Sequence, residues 1–287
     1  MANLKEIRNR ISSINSTMQI TSAMKLVSAA KLKRAQDHIQ QMRPYANKLR
    51  ELLVSLSATL ENQSEGKYSV HRDVKNVLII AVSSNRGLCG GFNAQITRKV
   101  TELVKTNYAG KRVEVLGIGR KVSDFAEKNE MLHHRADDIF TNISYQEIAD
   151  LAQEVMDAFE NGKYDEVRLV YNHFKNAATQ IVMNEQFLPV EKVEAEEAQI
   201  GDYIFEPNKE DIVSDLVPKS LKIQLFKAVL DSHAAEHGAR MTAMHQATDN
   251  AKDLKHELSL SYNKARQAAI TNEILEIVAG AEALNGK

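Results

Sequence analysis

Tryptophan is absent, cysteine occurs once (Cys89) and proline only four times in a chain of 287 residues. A single cysteine excludes an internal disulfide and suits a reducing compartment. The scarcity of proline leaves long stretches free to be helical. No run of about twenty apolar residues is available to cross a bilayer, so direct membrane insertion is not expected. The start, M-A-N-L-K-E-I-R-N-R, lacks the apolar region of a signal peptide. A net charge of −1 argues against a nucleic-acid binder defined by overall basicity. The expectation is a soluble, intracellular protein with room for one or two cored domains.

The last quarter, Lys219 to Leu284, is rich in alanine, leucine, lysine and glutamate, with no proline and two glycines, Gly238 and Gly280. Such residues lose little entropy in a helix. Read as one helix, the stretch is roughly 100 Å long and needs a partner. A seam of Leu230, Ala234, Met241, Met244, Thr248, Ala251, Leu254, Leu258, Ser261, Ala265 and Ala268 recurs mostly at threes and fours. Beyond Ala268, apolar residues appear on several faces, which predicts enclosure by something larger than one helix.

The first sixty residues supply a partner. Alternate steps of four and three from Ile7 reach Ile11, Ile14, Met18 and on to Leu60, broken only by Thr21, Lys25 and Ser28. That is a coiled-coil seam, with Pro44 inside it predicting a local irregularity. The expected organisation is an N-terminal helix over 1–65, a central α/β domain over 70–190, an acidic connection over 191–218 and a C-terminal helix over 219–287.

Charge is segregated. The first fifty residues carry ten basic side chains against two acidic ones, a net +8, while Glu185–Asp215 carries ten acidic against two basic, a net −8. Most charge runs are solvated faces. The alternative is a basic shaft that meets an acidic surface.

From Val74 the texture changes. V-K-N-V-L-I-I-A-V, K-R-V-E-V-L-G-I-G, Y-D-E-V-R-L-V-Y-N and A-T-Q-I-V-M-N-E-Q-F-L-P-V read as strands, with M-L-H-H-R-A as a shorter one. Gln95–Thr106, Arg120–Asn129 and Ser144–Glu160 read as helices, the last opened by a capping Ser144. Alternation of this kind predicts a mainly parallel sheet covered on both faces.

Two stretches invite enzymology. S-S-N-R-G-L-C-G-G-F-N, Ser83–Asn93, follows a strand and precedes a helix, where phosphate-binding turns lie. Its glycines fit neither the dinucleotide fingerprint nor the P-loop, and Gly117-x-Gly119 lacks a third glycine. Tight turns need glycine for backbone reasons alone. The second, His233-Ala-Ala-Glu236-His237, matches a zinc-peptidase pattern. A catalytic zinc also needs a third ligand and an open position in a cleft, and a coiled-coil helix offers neither. A chance match is the better account.

Five ordered stretches carry a resemblance that spans essentially the whole chain. They are Arg10–Gln36 (R-I-S-S-I-N-S-T-M-Q-I-T-S-A-M-K-L-V-S-A-A-K-L-K-R-A-Q), Ser83–Asn93, D-Y-I-F-E-P from Asp202, Glu236–Ala251 (E-H-G-A-R-M-T-A-M-H-Q-A-T-D-N-A) and the run from Tyr262 to Leu284. Together they resemble the gamma subunit family of F-type, proton-translocating ATP synthase, of the bacterial type. Chloroplast members carry a redox insertion with paired cysteines, and this chain has only Cys89.

The resemblance implies an antiparallel coiled coil of the N- and C-terminal helices with a central Rossmann-like α/β domain. It implies a central rotary shaft that couples rotation of the membrane c-ring to the cycling of the beta-subunit sites, with no catalytic residue and no bound cofactor or metal of its own. The implied partners are the alpha and beta subunits of the catalytic head, epsilon and the c-ring, on the cytoplasmic side of the bacterial inner membrane. Residue by residue, Arg266, Gln267 and Thr271 correspond to the polar group that catches a loop of beta. Met24, Lys25 and Arg240 correspond to the place where the shaft meets beta's acidic lever. Tyr203, Phe205 and Glu206 correspond to foot contacts with epsilon and the c-ring. Two readings compete: a nucleotide-binding enzyme centred on Ser83–Asn93, and a coiled-coil scaffold without rotation.

Overall fold

The computed structural model describes residues 4–59, 67–141, 143–190 and 209–285. Two helices dominate: α1, Leu4–Thr59, of 56 residues, and α5, Lys209–Asn285, of 77 residues. Both tolerate an internal proline, Pro44 in α1 and Pro218 in α5. The second helix therefore starts before Lys219, the first residue expected for it. Contacts divide the chain into two compact units, one made of Met1–Val27 with Met241–Lys287, the other of Ser28–Arg240.

In the first unit the two helices run antiparallel. Arg8 donates to the Tyr262 hydroxyl at 2.7 Å, Lys255 donates to Asn15 at 2.8 Å, and the Thr21 and Thr248 hydroxyls meet at 2.8 Å. As numbers rise on one helix they fall on the other. The α1 seam lies where its period puts it. Ile7, Thr21 and Ser28 are buried and Ile11, Ile14, Met18 and Lys25 half-buried, while Ile20, Leu26 and Val27 face outward. Thr21 interrupts the apolar run because Thr248 answers it.

The α5 seam departs from expectation after Ala251. Leu254, Ser261 and Ala268, expected inside, are exposed, Leu254 at 49%, and the half-buried positions are Lys255, Leu258, Ser259, Tyr262, Ala265 and Ala269. Two successive steps of three fall behind a repeat of 3.5 residues, so the line drawn through Leu254 leaves the seam. The strict alternation passes through Lys255 and Tyr262 despite their polarity. Their hydrogen bonds to Asn15 and Arg8 make those positions tolerable.

The second unit is built on a five-stranded sheet in the order β3-β2-β1-β4-β5. The strands are β1 (Asn76–Val82), β2 (Arg112–Ile118), β3 (Leu132–Arg135), β4 (Glu166–Phe174) and β5 (Gln180–Leu188). All neighbours pair parallel except β4 with β5. Too few residues join those two for a crossover, which takes about ten or more, so they close as a hairpin. Between the strands lie α2 (Phe92–Glu102), extended by a π-helical turn over Leu103–Asn107, α3 (Arg120–Lys128) and α4 (Tyr145–Glu160). Ser144 holds the N-cap position of α4 with extended backbone, but its side chain makes no capping hydrogen bond.

The continuous apolar run of β1 follows from burial on both faces. Val77, Ile79 and Ala81 pack with Ile96 and Val100 of α2 and Val122 and Ala126 of α3. Leu78, Ile80 and Val82 pack with α4 and with Leu221, Leu225, Ala228 and Val229 of α5. At about 1.5–3 kcal/mol for each large side chain taken from water, these two layers hold the domain. Gly119, at φ +101°, brings the end of β2 so close to β1 that an added Cβ would lie 2.2 Å from the Ser83 carbonyl oxygen. Close backbone packing accounts for that glycine.

Candidate functional site

The loop after β1 lies at the carboxyl ends of the strands, next to the β1–β4 boundary where an open α/β sheet reverses its winding and ordinarily takes a ligand. Here its polar groups are engaged with one another. The Ser84 amide donates to Asn93 Oδ1 at 3.0 Å, the Ser84 hydroxyl to the Arg86 carbonyl at 2.6 Å, and Asn93 Nδ2 to Cys89 Sγ at 3.1 Å. Cys89 and Phe92 are buried against Ala235 and Ala239 of α5. From the same helix Arg240 donates to the carbonyls of Arg86 and Gly87, each at 3.2 Å. The crest is Leu88, at φ +64° and exposed. What the sequence offers as a phosphate turn is, in this arrangement, a loop docked on a helix.

The zinc-peptidase pattern resolves into two pairs. His233 and His237 face each other with Nε2 atoms 3.0 Å apart, and Phe140 stacks on His233 at 5.9 Å between centroids. Glu236 instead forms an ion pair with Arg240. Burial pushes the His233 imidazole down to about 4, with Lys31, His38 and Arg240 adding to the shift. Burial, then His233, Arg240 and Lys31, push His237 down to about 3. Cations that keep an imidazole neutral also repel a metal dication. Among the described residues no three His, Cys, Asp or Glu side chains converge on a metal position. The Glu236 carboxyl is raised by burial against the pull of Arg240.

The remaining candidates separate by exposure. Arg266, Gln267 and Thr271 are exposed on α5, Thr271 donating to the Gln267 carbonyl at 2.9 Å. On a helix these three project within an arc of about 140°. Among and after them, Ile270, Ile274, Leu275, Ile277 and Val278 are all exposed, Ile277 at 71%. Met24 and Lys25 are half-buried in α1. Arg240, by contrast, is only 7% exposed and engaged inside the chain. Tyr203, Phe205, Glu206 and most of the acidic connection lie outside the described residues. Sequence reasoning missed the pair formed by His173 Nδ1 and Asp231 Oδ2 at 2.7 Å. The one available signal was an aspartate at a position that helical period places inside.

The family model that matches, described as ATP synthase, covers residues 3–284. A protein of Flavobacterium johnsoniae named ATP synthase gamma chain is 59% identical over 287 residues, covering all of both chains. One of the same name from Christiangramia forsetii is 58% identical over 286 residues, again covering both completely. Among solved structures, a chain of the central stalk and c-ring of Tetrahymena thermophila mitochondrial ATP synthase is 26% identical, with a TM-score of 0.59 over 79% of this chain and 99% of that one. A chain from the rotor of the Euglena gracilis mitochondrial enzyme shares the fold at a TM-score of 0.66 and 22% identity, over 93% of this chain and 98% of that one.

Proposed function

This chain belongs to the ATP synthase gamma-chain family, and on that premise we propose that it is the central-stalk subunit of a bacterial F-type ATP synthase. It serves as the rotary shaft, linking proton-driven rotation of a c-ring to the conformational cycle of the beta-subunit sites, and in reverse to ATP hydrolysis. It contributes no bond-making residue, binds no cofactor and works through its contacts with alpha, beta, epsilon and the c-ring. Its place is peripheral, on the cytoplasmic face of the inner membrane. None of the described helices is long and apolar enough to cross a bilayer, which agrees with that placement.

One observation carries this reading: the juxtaposition on α5 of the exposed polar group Arg266, Gln267 and Thr271 with five exposed apolar side chains, Ile270, Ile274, Leu275, Ile277 and Val278. An exposed apolar stretch of that size marks an interaction surface. An apolar sleeve around it gives non-directional contact, which resists rotation little. Directional polar contacts supply the other requirement. A contact shifts an equilibrium only if it differs between the states, and driving a site from 1:99 to 99:1 takes about 5.5 kcal/mol of discrimination. Hydrogen bonds to charged groups contribute roughly 1.5–3 kcal/mol each, so a few such contacts at the right angle suffice.

The test is ATP hydrolysis by an alpha–beta ring titrated with this chain. The chain alone is expected to be inactive, and hydrolysis to rise and saturate at one copy per ring. Truncation after Ala265 removes the polar group and the apolar run together and is expected to abolish the rise. Hydrolysis by the chain unaided, or a ring indifferent to it, overturns the proposal.

A further inference from the structure

Helix α5 is almost wholly buried over Asp231–Arg240, and beside small residues such as Ala234, Ala235 and Ala239 it buries five polar ones: Asp231, Ser232, Glu236, His237 and Arg240. Such groups are costly inside a protein unless each is paired, and apolar side chains of similar size would serve stability as well or better. Two of them, Asp231 and Arg240, find partners in separate parts of the central domain, Glu236 and His237 bond to Arg240 and His233 of the same helix, and Ser232 Oγ and His237 Nδ1 are buried without a hydrogen-bond partner among the described residues. Asp231 meets His173 on β4 at 2.7 Å. His233 stacks on Phe140, in the short turn after β3. Arg240, held by Glu236, donates to the two carbonyls of the loop after β1. Nine residues separate Asp231 from Arg240, so at about 100° per residue they project roughly 180° apart.

We propose that Asp231–Arg240 is a torsional key, which fixes the angle of α5 about its own axis against the central domain, with Asp231 and His173 as positioning residues. The inference rests on the rotary reading and deepens it. The neighbouring apolar contacts, through Ala235 and Ala239, hold the helix close against the domain but are non-directional in themselves. The hydrogen bonds depend on direction, and because they leave the helix on opposite sides, any turn strains both sets at once. Torque applied to the domain then reaches the helix as rotation instead of being lost in slip.

The experiment measures proton pumping per ATP hydrolysed, by dye quenching in vesicles, for the assembled enzyme carrying variants of this chain. Asp231→Leu keeps the volume and loses direction; a loss of pumping per ATP is expected with hydrolysis retained. Asp231→Asn keeps an acceptor for His173 and is expected to pump normally. The swap of Asp231→His with His173→Asp rebuilds the pair in reverse and is expected to recover the pumping that each single exchange loses. A purely structural role predicts lower melting temperature and poorer assembly with an unchanged ratio. An unchanged ratio in Asp231→Leu, or a stably folded swap that fails to recover it, overturns the key. Truncation after Ala265 is the control: if it too leaves hydrolysis and pumping untouched, the rotary reading itself has failed.

Discussion

Two stretches of one helix invert the usual rule. Over Asp231–Arg240, α5 hides aspartate, glutamate, histidine and arginine; over Ile270–Val278 it displays three isoleucines, a leucine and a valine among Thr271, Asn272, Glu273 and Glu276. Intrinsic helix propensity treats both stretches as ordinary helix. The difference lies in what each meets. In the first, Asp231, Glu236 and Arg240 meet polar groups of their own chain at hydrogen-bonding distance, so charge is tolerated inside, although Ser232 Oγ and His237 Nδ1 have no such partner among the described residues. Among the described residues the second meets nothing that covers it. A buried polar stretch describes the chain's own packing, whereas an exposed apolar stretch describes a partner.

The sharpest way to break the first half of that contrast is to remove one member of its ion pair. Glu236→Ala leaves the Arg240 guanidinium buried and anchored only by two carbonyls. Uncompensated buried charge costs about 3–5 kcal/mol, so thermal unfolding of the full chain is expected to move down sharply. Replacing both, Glu236→Leu with Arg240→Met, is expected to be near neutral. If the single change were as mild as the double, the pair would not be compensating a buried charge.

Acid should erode the same stretch. His233 and His237 titrate in the folded chain at about 4 and about 3, below their ordinary 6.5. The unfolded chain therefore binds more protons between those values, and unfolding is favoured as pH falls. The contribution is complete above about 6.5 and is lost progressively below it, on the order of a few kcal/mol for the pair. Urea midpoints measured from neutral pH down to about 4.5 should fall more steeply for the unaltered chain than for His233→Leu with His237→Leu. Parallel profiles would remove the histidines from the account.

Legibility in the sequence follows the same divide. The strands and helices of the sheet domain were readable because their periods are set by burial on one or two faces, as the doubly buried β1 illustrates. The α1 seam was readable for the same reason, even through Thr21 and Ser28. The α5 seam departs from expectation at Leu254, Ser261 and Ala268, because taking Leu254 for its hydrophobicity shifts the phase that decides the positions after it. Nothing local could announce that Lys255 and Tyr262 face inward, since their partners Asn15 and Arg8 are some 240 or more residues away in sequence. Arg240 shows the limit at the candidate site. A family pattern gives it a contact outward, yet here it is enclosed and bonded to its own chain. Its ion-pair partner Glu236 is a local i,i+4 neighbour, but the Arg86 and Gly87 carbonyls that complete its burial lie 154 and 153 residues away in sequence, where no local pattern reaches.

The smallest expected effect draws the contrast most finely, because it makes one substitution at both ends of the comparison. Alanine is favoured over glycine in a helix by about 0.8–1 kcal/mol. At Gly280 an added Cβ finds nothing within 4 Å, so Gly280→Ala should keep that gain locally and slow amide exchange around it. At Gly238 the same atom would lie 3.1 Å from Phe174 Cε2 and 3.2 Å from the Ala177 Cα. A ring edge can give way, but Ala177 belongs to a turn pinned by Asn176, whose Oδ1 accepts from the Ala178 and Thr179 amides at 3.0 and 2.7 Å. Overpacking of this kind costs about 1–3 kcal/mol, enough to outweigh the helical gain. Gly238→Ala should therefore lower the melting temperature slightly and Gly280→Ala should not. If both variants shifted alike, the close contact between α5 and the β4–β5 turn would have to be discarded.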